Sequence, residues 1–329
     1  MASECRCRFR ENAVTVDKNP SSPQGSEQPS RQIFAPGLGI AAGRGRLAGG
    51  NVLVVGAGQR PTPDPETTIG NGRAMTLLFA REGACIACAD SDLETAQATV
   101  DLISSEDGHA LAIQADVSDP AGIEQMFAEA KRGFFQFDFL HKRQSALGSG
   151  HIDAVVANVG IASGRNLINE SPETWDRVMN VNLRAHMLIA QQALRALPDG
   201  GAIVFISSLA AVSPAGRNPA YEASKAALSA LCRAVALEGQ PRGIRANALA
   251  PGLLDTPMGR VASQRQPSRA ARPLPFGRQG TAWEMAYAAL FLISTEASYV
   301  NAQTIFVDGG LGSGVALSQG GRAGSDQTS

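Results

Sequence analysis

The chain has 329 residues, of which 44% are hydrophobic and 18% charged, with a net charge of −1 and a pI of about 6.4. This length allows one large or two ordinary domains with a substantial buried core. The charge excludes the broad cationic surface that holds a nucleic acid or an anionic membrane, and no apolar run reaches the roughly 20 residues that a membrane-spanning helix needs. We therefore expect a soluble, cytoplasmic protein with neither a nucleic-acid nor a membrane partner.

The two ends of the chain are predicted to be disordered, with a single domain between residues 49 and 311. Residues 1 to 48 and 312 to 329 are rich in Gly, Ser, Gln and Pro or Arg, with little apolar periodicity. Arginines near the start fit a transit peptide: Arg6, Arg8 and Arg10. Glu4 and Glu11 argue against it, since such peptides are poor in acids, and an extended start is the alternative.

Between these ends, apolar runs typical of strands alternate with helical patterns. The predicted strands are 52–56, 84–89, 109–114, 152–157, 201–207, 243–249 and 303–307. The predicted helices are 72–82, 92–105, 119–131, 172–197, 219–238 and 281–294, with Asp92, Ser118, Ser171 and Thr281 as N-caps. Strands alternating with helices predict an α/β fold: one doubly wound, Rossmann-type parallel sheet of about seven strands with helices on both faces.

Two segments interrupt this alternation. Residues 60–68 carry Pro61, Pro63 and Pro65, which exclude helix and ladder and predict a surface loop. Residues 132–150 hold four phenylalanines beside a basic cluster: Phe134, Phe135, Phe137, Phe139, His141, Lys142 and Arg143. A hairpin, a membrane-touching finger or a partner-binding surface are all compatible with this pattern, and we favour an insertion packed against the domain edge.

The cysteines and histidines give no signal of a metal or disulfide site. Five cysteines are an odd number and fit a reducing compartment. Cys85 and Cys88 form a Cys-x-x-Cys pair, but the surrounding run is apolar and strand-like, which favours buried packing. The histidines are scattered without ligand spacing, and no metal site is predicted: His109, His141, His151 and His186.

A glycine cluster follows the first predicted strand and opens the first helix. The cluster consists of Gly56, Gly58, Gly70, Asn71 and Gly72. Glycines let the backbone approach a pyrophosphate closely, and the N-terminus of a helix directs free N–H groups at it. The residues 57–69 separate Gly56 from Gly70, so the proline loop must bulge away for the two halves to converge. Asp90, at the end of the second strand, is placed to bind an adenosine ribose and repel a 2′-phosphate, which favours NAD over NADP. An ordinary helix N-terminal acid is the other interpretation of Asp90.

Tyr221 and Lys225 stand four residues apart on a predicted helix, thirteen and seventeen positions after Ser208. Side chains at this spacing share one helix face, so a phenol and an ammonium reach the same small volume. A phenol with a pKa of about 10 is brought towards neutrality by a fixed positive charge, which makes the pair a candidate proton-transfer site. By itself, the pair is more typical of an exposed helix face.

The chain resembles the short-chain dehydrogenase/reductase family over about residues 49 to 311. The segments that carry the resemblance stand in the family's order: the glycine turn, Ala115-Asp116-Val117, Ala157-Asn158-Val159-Gly160, Val181-Asn182-Leu183, Ile206-Ser207-Ser208, Tyr221 to Lys225, Asn247 to Met258, and Val307-Asp308-Gly309-Gly310. The chain departs from the family in having Ala157 and Val159 where Asn and Ala are usual, and in its split glycine motif. The split puts the pyrophosphate contacts in doubt.

The resemblance implies a site and a reaction. The catalytic tetrad would be Asn182, Ser208, Tyr221 and Lys225. Tyr221 would exchange the proton of a carbonyl or alcohol, Ser208 would hold the same oxygen, Lys225 would lower the tyrosine pKa and hold the nicotinamide ribose, and Asn182 would orient a water. The cofactor NAD would contact Gly56, Gly70, Asn71, Gly72, Asp90, Asp116, Val117, Asn158, Gly160, Tyr221, Lys225, Pro251, Gly252 and Thr256. Ser207 competes with Ser208, but strand alternation sends it to the opposite face.

The predicted function is NAD(H)-dependent interconversion of a secondary alcohol and a ketone. One alternative is an interaction protein that kept the fold but lost activity through the split glycine loop, and another is an NADP(H)-dependent reductase that uses Arg60 or Arg73. Residues 253–279 are predicted to be a solvated substrate lid, whose arginines are candidates for an anionic substrate group: Arg260, Arg265, Arg269 and Arg272. The resemblance also implies a homodimer or homotetramer, with helices 172–197 and 219–238 in a subunit interface.

Overall fold

The structure is a computed structural model that describes residues 31–59, 68–140, 150–265 and 273–314. The described strands are β1 Asn51–Val55, β2 Cys85–Asp90, β3 His109–Gln114, β4 Ala154–Ala157, β5 Ala202–Ile206, β6 Arg245–Pro251, β7 Leu254–Asp255, β8 Gly280–Thr281 and β9 Thr304–Val307. The described helices are α1 Ala35–Leu38, α2 Asn71–Arg81, α3 Leu93–Ser105, α4 Pro120–Leu140, α5 Pro172–Met179, a π-helical segment Asn180–Arg184, α6 Ala185–Ala196, α7 Pro219–Gly239, α8 Pro257–Arg265 and α9 Ala282–Ile293.

Seven parallel strands form the central sheet in the order β3-β2-β1-β4-β5-β6-β9. The chain moves outward from β1 to β3, returns to pair β4 with β1, and then moves outward again in the other direction. The carboxyl ends of β1 and β4 therefore flank a topological switch point, where doubly wound sheets bind their ligands. The predicted fold class is confirmed.

Each face of the sheet buries its own layer of helices. Alternate residues of β1 point to opposite faces: Leu53 and Val55 join a cluster with α4, α6 and α7, whereas Val52 and Val54 join a cluster with α2, α3 and α9. Both faces of the strand are apolar because both are covered, which is why the strands read as continuous hydrophobic runs.

The cysteine pair lies in this core. Cys85 and Cys88 are buried on β2 without a disulfide, and burial raises the pKa of Cys88. The packing interpretation of this pair is confirmed. Among the described residues, no group of three or more His, Cys, Asp or Glu side chains is placed to hold a metal ion. None of the helices in the described ranges is both long enough and apolar enough to span a membrane.

The helix termini follow their predicted caps at three positions. The side chains of Asp92, Ser171 and Thr281 each accept a hydrogen bond from a backbone N–H in the first turn of the helix they precede. The prediction of Ser118 as a cap is wrong, because Oδ1 of Asp119 accepts from the N–H of Ala121 instead.

The phenylalanine-rich segment continues α4 instead of leaving the fold. The helix was predicted to end at residue 131 but runs to Leu140. Phe134 is fully buried and the Phe137 ring lies 4.4 Å from that of His109, whereas Phe135 and Phe139 are exposed. The inward-facing rings of Phe134 and Phe137 are three residues apart and therefore lie on one face of the helix. The phenylalanine pattern, which was also compatible with a hairpin, thus reflects helical spacing. The remainder of the predicted insertion, 141–149, lies outside the described residues.

The predicted disorder of residues 1–48 is wrong for residues 33–48, which pack against α2 and α9. Thr281 donates to the carbonyl of Gly37 at 2.7 Å, and Arg81 donates to that of Gly39 at 2.6 Å. Arg46 pairs with the fully buried Glu82 at 2.6 Å. The compact unit accordingly begins at Ile33 and not near residue 49. The first 30 residues and 315–329, also predicted to be disordered, lie outside the described residues.

Candidate active site

The split glycine turn converges at the carboxyl end of β1. Gly56 has a φ of +86°, a conformation that favours glycine. A Cβ on Gly72 would collide with the Gly56 carbonyl oxygen, so the two halves meet through a contact that only glycine permits. Nδ2 of Asn158 donates to the same carbonyl at 2.8 Å and ties the turn to the segment after β4. The residues between the halves therefore do not prevent their approach.

The N-terminus of α2 faces this turn. Gly70 is its N-cap, and Asn71 and Gly72 form its first turn. The first N–H groups of a helix have no intrahelical acceptor and carry a partial positive charge, which suits a phosphate. The glycine cradle and the helix end together fit a dinucleotide pyrophosphate.

Asp90 is the last residue of β2 and contacts the glycine turn directly. Its Oδ2 accepts from the N–H of Gly58 at 2.9 Å, and its Oδ1 accepts from that of Asp92 at 3.3 Å. The carboxylate therefore stands beside the first glycine half. Asp92, and not Asp90, caps α3.

Arg73 is engaged by α3. Its Nε donates to Oγ1 of Thr99 at 2.9 Å, and a guanidinium N–H donates to the Thr95 carbonyl at 3.3 Å. Burial lowers the pKa of Arg73. Arg60, the other arginine considered for a 2′-phosphate, lies outside the described residues.

Asp116 and Val117 follow β3 at the same edge of the sheet. The N–H of Ala115 donates to the Asp90 carbonyl at 2.8 Å, which holds this segment next to β2. Val117 is buried, whereas Asp116 is exposed and accepts from the N–H of Ser118 at 2.9 Å.

Asn182 is fully buried inside the π-helical segment. Its Oδ1 accepts from the N–H of Ile161 at 2.8 Å, and its Nδ2 donates to the Ile161 carbonyl at 2.8 Å and to Oγ of Ser224 at 3.1 Å. One amide thus fixes the segment after β4 to α7. Local widening to a π-helix is frequent at functional sites. Ser224 was missed by the sequence reasoning, and its position before Lys225 was the available signal.

Lys225 is 3% exposed and lies one helical turn beyond Tyr221. Its Nζ donates to the Ile206 carbonyl at 2.7 Å and lies 3.4 Å from the Val159 carbonyl and 5.8 Å from the centre of the Tyr221 ring. Burial lowers the pKa of Lys225 to about 7. A Cβ on Gly160 would lie 3.1 Å from Nζ, so glycine at this position leaves room for the ammonium.

Ser207 and Ser208 take opposite directions at the end of β5. Oγ of the buried Ser207 donates to the Lys225 carbonyl at 2.8 Å, which binds the strand end to α7 and brings Ser208 and Tyr221 to the same edge. Ser208 is partly exposed, and its Oγ accepts from the N–H of Ala210 at 3.2 Å. The hydroxyl proton of Ser208 remains available for a second partner.

The segment after β6 completes this edge. Gly252 donates to the Val307 carbonyl at 3.0 Å and packs so closely on Asp308 that a Cβ would lie 2.6 Å from that residue's Cβ. Thr256 is buried and its Oγ1 accepts from the N–H of Gly259 at 3.1 Å. Pro251, at the end of β6, pairs with β9.

The predicted lid contains more structure than expected. It includes α8 and the two-residue strand β7, which pairs with β8 directly after the predicted lid. Arg260 pairs with Asp255 at 2.8 Å, so its charge is already matched. Arg269 and Arg272 lie outside the described residues. A cavity of about 380 Å³ lies between Leu274, Phe276 and Asp308, and no tetrad residue is among the described residues that line it.

The sheet, the switch point and the glycine cradle define a doubly wound, dinucleotide-binding protein. Its sequence matches a family profile described as enoyl-(acyl carrier protein) reductase over residues 67–312. The chain is 35% identical over 273 residues to 3beta-hydroxysteroid dehydrogenase 1 of Eggerthella lenta, covering 80% of this chain and 94% of that protein. It is 32% identical over 268 residues to the 3-oxoacyl-(acyl-carrier-protein) reductase FabG of Thermotoga maritima, covering 81% and 99%.

A solved structure extends these similarities to the fold. The angucycline C-6 ketoreductase LanV with bound NADP superimposes with a TM-score of 0.70 at 26% identity, covering 82% of this chain and 98% of that one. The chain belongs to the short-chain dehydrogenase/reductase family. It is therefore an oxidoreductase that acts on CH–OH groups with NAD(P).

Proposed function

We propose that this enzyme interconverts a secondary alcohol and a ketone with NAD(H), and that Tyr221 exchanges the substrate proton. The observation that carries the proposal is the buried Lys225 ammonium, 5.8 Å from the Tyr221 ring. The Lys225 pKa of about 7 keeps this charge on the amine up to about neutral pH, and a positive charge at this distance favours the phenolate over the phenol, whose ordinary pKa of about 10 is too high for a base at neutral pH. Burial strengthens the interaction because water does not screen it.

The roles of the other tetrad residues follow from their contacts. In alcohol oxidation Tyr221 takes the hydroxyl proton, and in ketone reduction it returns a proton to the carbonyl oxygen. The Ser208 hydroxyl accepts a hydrogen bond from the N–H of Ala210, so its own proton is left to form a hydrogen bond with the same substrate oxygen. Asn182 fixes the segment at Ile161 that forms one wall of the site. Bound NAD(H) supplies the acceptor or donor of hydride at its nicotinamide C4.

The residues proposed to hold the dinucleotide lie along the carboxyl edge of the sheet. The glycine cradle and α2 would bind the pyrophosphate, and Asp90 would accept hydrogen bonds from the adenosine ribose. The remaining contacts are proposed for Asp116 and Val117 at the adenine, Asn158, Gly160, Tyr221 and Lys225 at the nicotinamide ribose side, and Pro251, Gly252 and Thr256 at the nicotinamide.

The preference for NAD over NADP rests on the charges beside the glycine turn. A 2′-phosphate would meet the Asp90 carboxylate, whereas the Arg73 guanidinium is already hydrogen-bonded to Thr99 and Thr95. The alternative cofactor, NADP, is the one bound in the solved structure of LanV. Titration with NADH and NADPH tests the preference: tighter binding of NADPH would overturn it.

We further propose that the substrate is an uncharged, apolar ketone or alcohol. The segments that follow β4, β5 and β6 carry exposed apolar side chains at the edge where the tetrad lies: Leu167, Ile168, Val212 and Met258. Such side chains gain free energy by covering an apolar ligand. Two relatives are named for polycyclic substrates, a hydroxysteroid and an angucycline. A screen of cyclic apolar ketones against acyl thioesters tests this choice, and a preference for the thioesters would refute it.

The central test of the proposal is Tyr221→Phe, with Tyr299→Phe as the matched control because Tyr299 is fully exposed on the surface. Loss of the phenol is expected to lower turnover by roughly a hundredfold or more while dinucleotide affinity changes little. A wild-type protein that binds neither NADH nor NADPH would instead favour the rival, an interaction protein without activity.

A further inference from the structure

One side chain links the two halves of the split glycine turn. The first half ends at Gln59, and the second begins at Gly70, the N-cap of α2. The backbone N–H of Gly70 donates to Oε1 of Gln59 at 2.7 Å. Within the described residues, this hydrogen bond directly connects the chain on either side of the insertion.

The first half is a fixed support for this contact. Gly56 and Ala57 both donate to the Ala89 carbonyl, at 2.8 and 3.0 Å, and Gly58 donates to Asp90 at 2.9 Å. Gln59 follows directly, so its main chain is held to the edge of β2. Its side chain can therefore hold the start of α2 at a fixed place relative to β2.

The second half needs such a contact because its covalent connection to the first is long. Residues 60–69 stand between the halves in sequence, and the entropy cost of closing a loop increases with its length. Gly72 touches the Gly56 carbonyl by close packing, which fixes distance but little direction. A hydrogen bond adds direction, since its strength falls steeply with misalignment.

We infer that Gln59 is a positioning residue that holds the N-terminus of α2 against the first glycine half and thereby sets the affinity for the dinucleotide. This inference rests on the proposed function, because the amide groups at the start of α2 are the proposed pyrophosphate ligands. An uncharged amide suits the position: it offers an acceptor to Gly70 without placing a negative charge beside a phosphate.

The decisive variant is Gln59→Met, which keeps the length of the side chain and removes the acceptor. We expect the dissociation constants of NADH and NADPH to rise roughly five- to tenfold, the size of one net hydrogen bond, while kcat at saturating cofactor stays within roughly twofold. Gln97→Met is the matched control, since Gln97 is an exposed glutamine on α3 that bonds only within its own helix, to Asp101 at 2.8 Å.

Amide hydrogen exchange of the protein without cofactor tests the contact independently of the reaction. Exchange at Gly70 should accelerate in Gln59→Met and return to the wild-type rate in Gln59→Glu, which restores an acceptor oxygen. Dinucleotide affinity should stay low in Gln59→Glu, because its charge opposes the pyrophosphate. Unchanged affinity and unchanged Gly70 exchange in Gln59→Met would overturn the inference. If wild-type protein bound neither dinucleotide, the proposed function would fail, and Gly70 exchange alone would decide whether Gln59 holds the helix.

Discussion

At the scale of single residues, the buried ammonium of Lys225 carries most of the chemical argument. Lys225→Met should lower kcat/KM by roughly a hundredfold or more near neutral pH, because Tyr221 loses the charge that favours its phenolate. Part of the activity should return as the pH approaches the ordinary phenol pKa of about 10. The pH profile of kcat/KM measures this shift.

Lys131→Met is the matched control for this variant, because Lys131 is exposed on α4, away from the tetrad. Its profile should coincide with that of the wild type. An unshifted profile in Lys225→Met would mean that the lysine does not govern the ionisation of the tyrosine.

A second buried base, His186, is expected to make the stability of the fold depend on pH. It is fully buried without a well-formed hydrogen bond to the described residues, and burial together with the Lys225 charge lowers its pKa to about 3. The unfolded chain binds a proton below about pH 6.5, whereas the folded chain does not until about pH 3. The contribution of His186 to stability is therefore fully present above the unfolded pKa and is lost as the pH falls from about 6.5 towards 3.

His186→Leu should remove this acid sensitivity, because leucine binds no proton in either state. Chemical denaturation at about pH 7 and about pH 5 measures the loss of unfolding free energy, which should be smaller in the variant than in the wild type. Equal losses in the two proteins would show that other groups govern the acid side of the stability curve.

At the scale of elements, the π-helical segment joins three parts of the site through Asn182. Asn182→Ala would leave the N–H and carbonyl of Ile161 without their partner, at a cost of roughly 1–3 kcal/mol for each buried group. We expect faster amide exchange at Ile161 and a loss of turnover. Ser224→Ala removes the third hydrogen bond of Asn182 and the bond from Oγ of Ser224 to the Tyr221 carbonyl but leaves both Ile161 contacts in place, so exchange at Ile161 should stay close to that of the wild type.

How far the elements could be predicted depended on whether their determinants are local. The parallel strands are confirmed to within a few residues because both of their faces are apolar, and the caps at Asp92, Ser171 and Thr281 rest on the side chain and its own first turn. The π-helical segment was missed, since Val181 to Arg184 have ordinary helical composition and the widening depends on contacts with Ile161 and α7.

How far the site could be predicted also depended on whether its determinants are local. Order along the chain was sufficient to place the tetrad residues on neighbouring elements, and the structure brings Lys225 near the Tyr221 ring. The Gln59–Gly70 and Asn182–Ser224 bonds were not predictable, because each joins residues whose proximity arises only after the sheet has formed. Residues 33–48 were likewise misjudged, since their order comes from partners on α2 and α9 and not from their own periodicity.

At the scale of the whole molecule, residues 33–48 are predicted to stabilise the domain. Their central contact is the pair of Arg46 with Glu82, whose Oε2 also accepts the N–H groups of Arg44 and Arg46 at 2.9 and 3.0 Å. Removing residues 1–48 would leave the Glu82 carboxylate without these partners. Loss of one partner of a buried charge typically costs about 3–5 kcal/mol, and this carboxylate would lose all four donors, namely the two backbone N–H groups and the Nε and Nη2 of Arg46.

Thermal and urea unfolding of two truncations tests this role. Removal of residues 1–32 should leave the midpoint close to that of the full chain, because the compact unit begins at Ile33. Removal of residues 1–48 should lower it by several degrees or more. Glu82→Gln in the full chain separates the charge from the packing: it should reproduce part of the loss, since the amide keeps one acceptor but gives up the ion pair. Equal midpoints in the two truncations would mean that α1 and the following turn cover the domain without stabilising it.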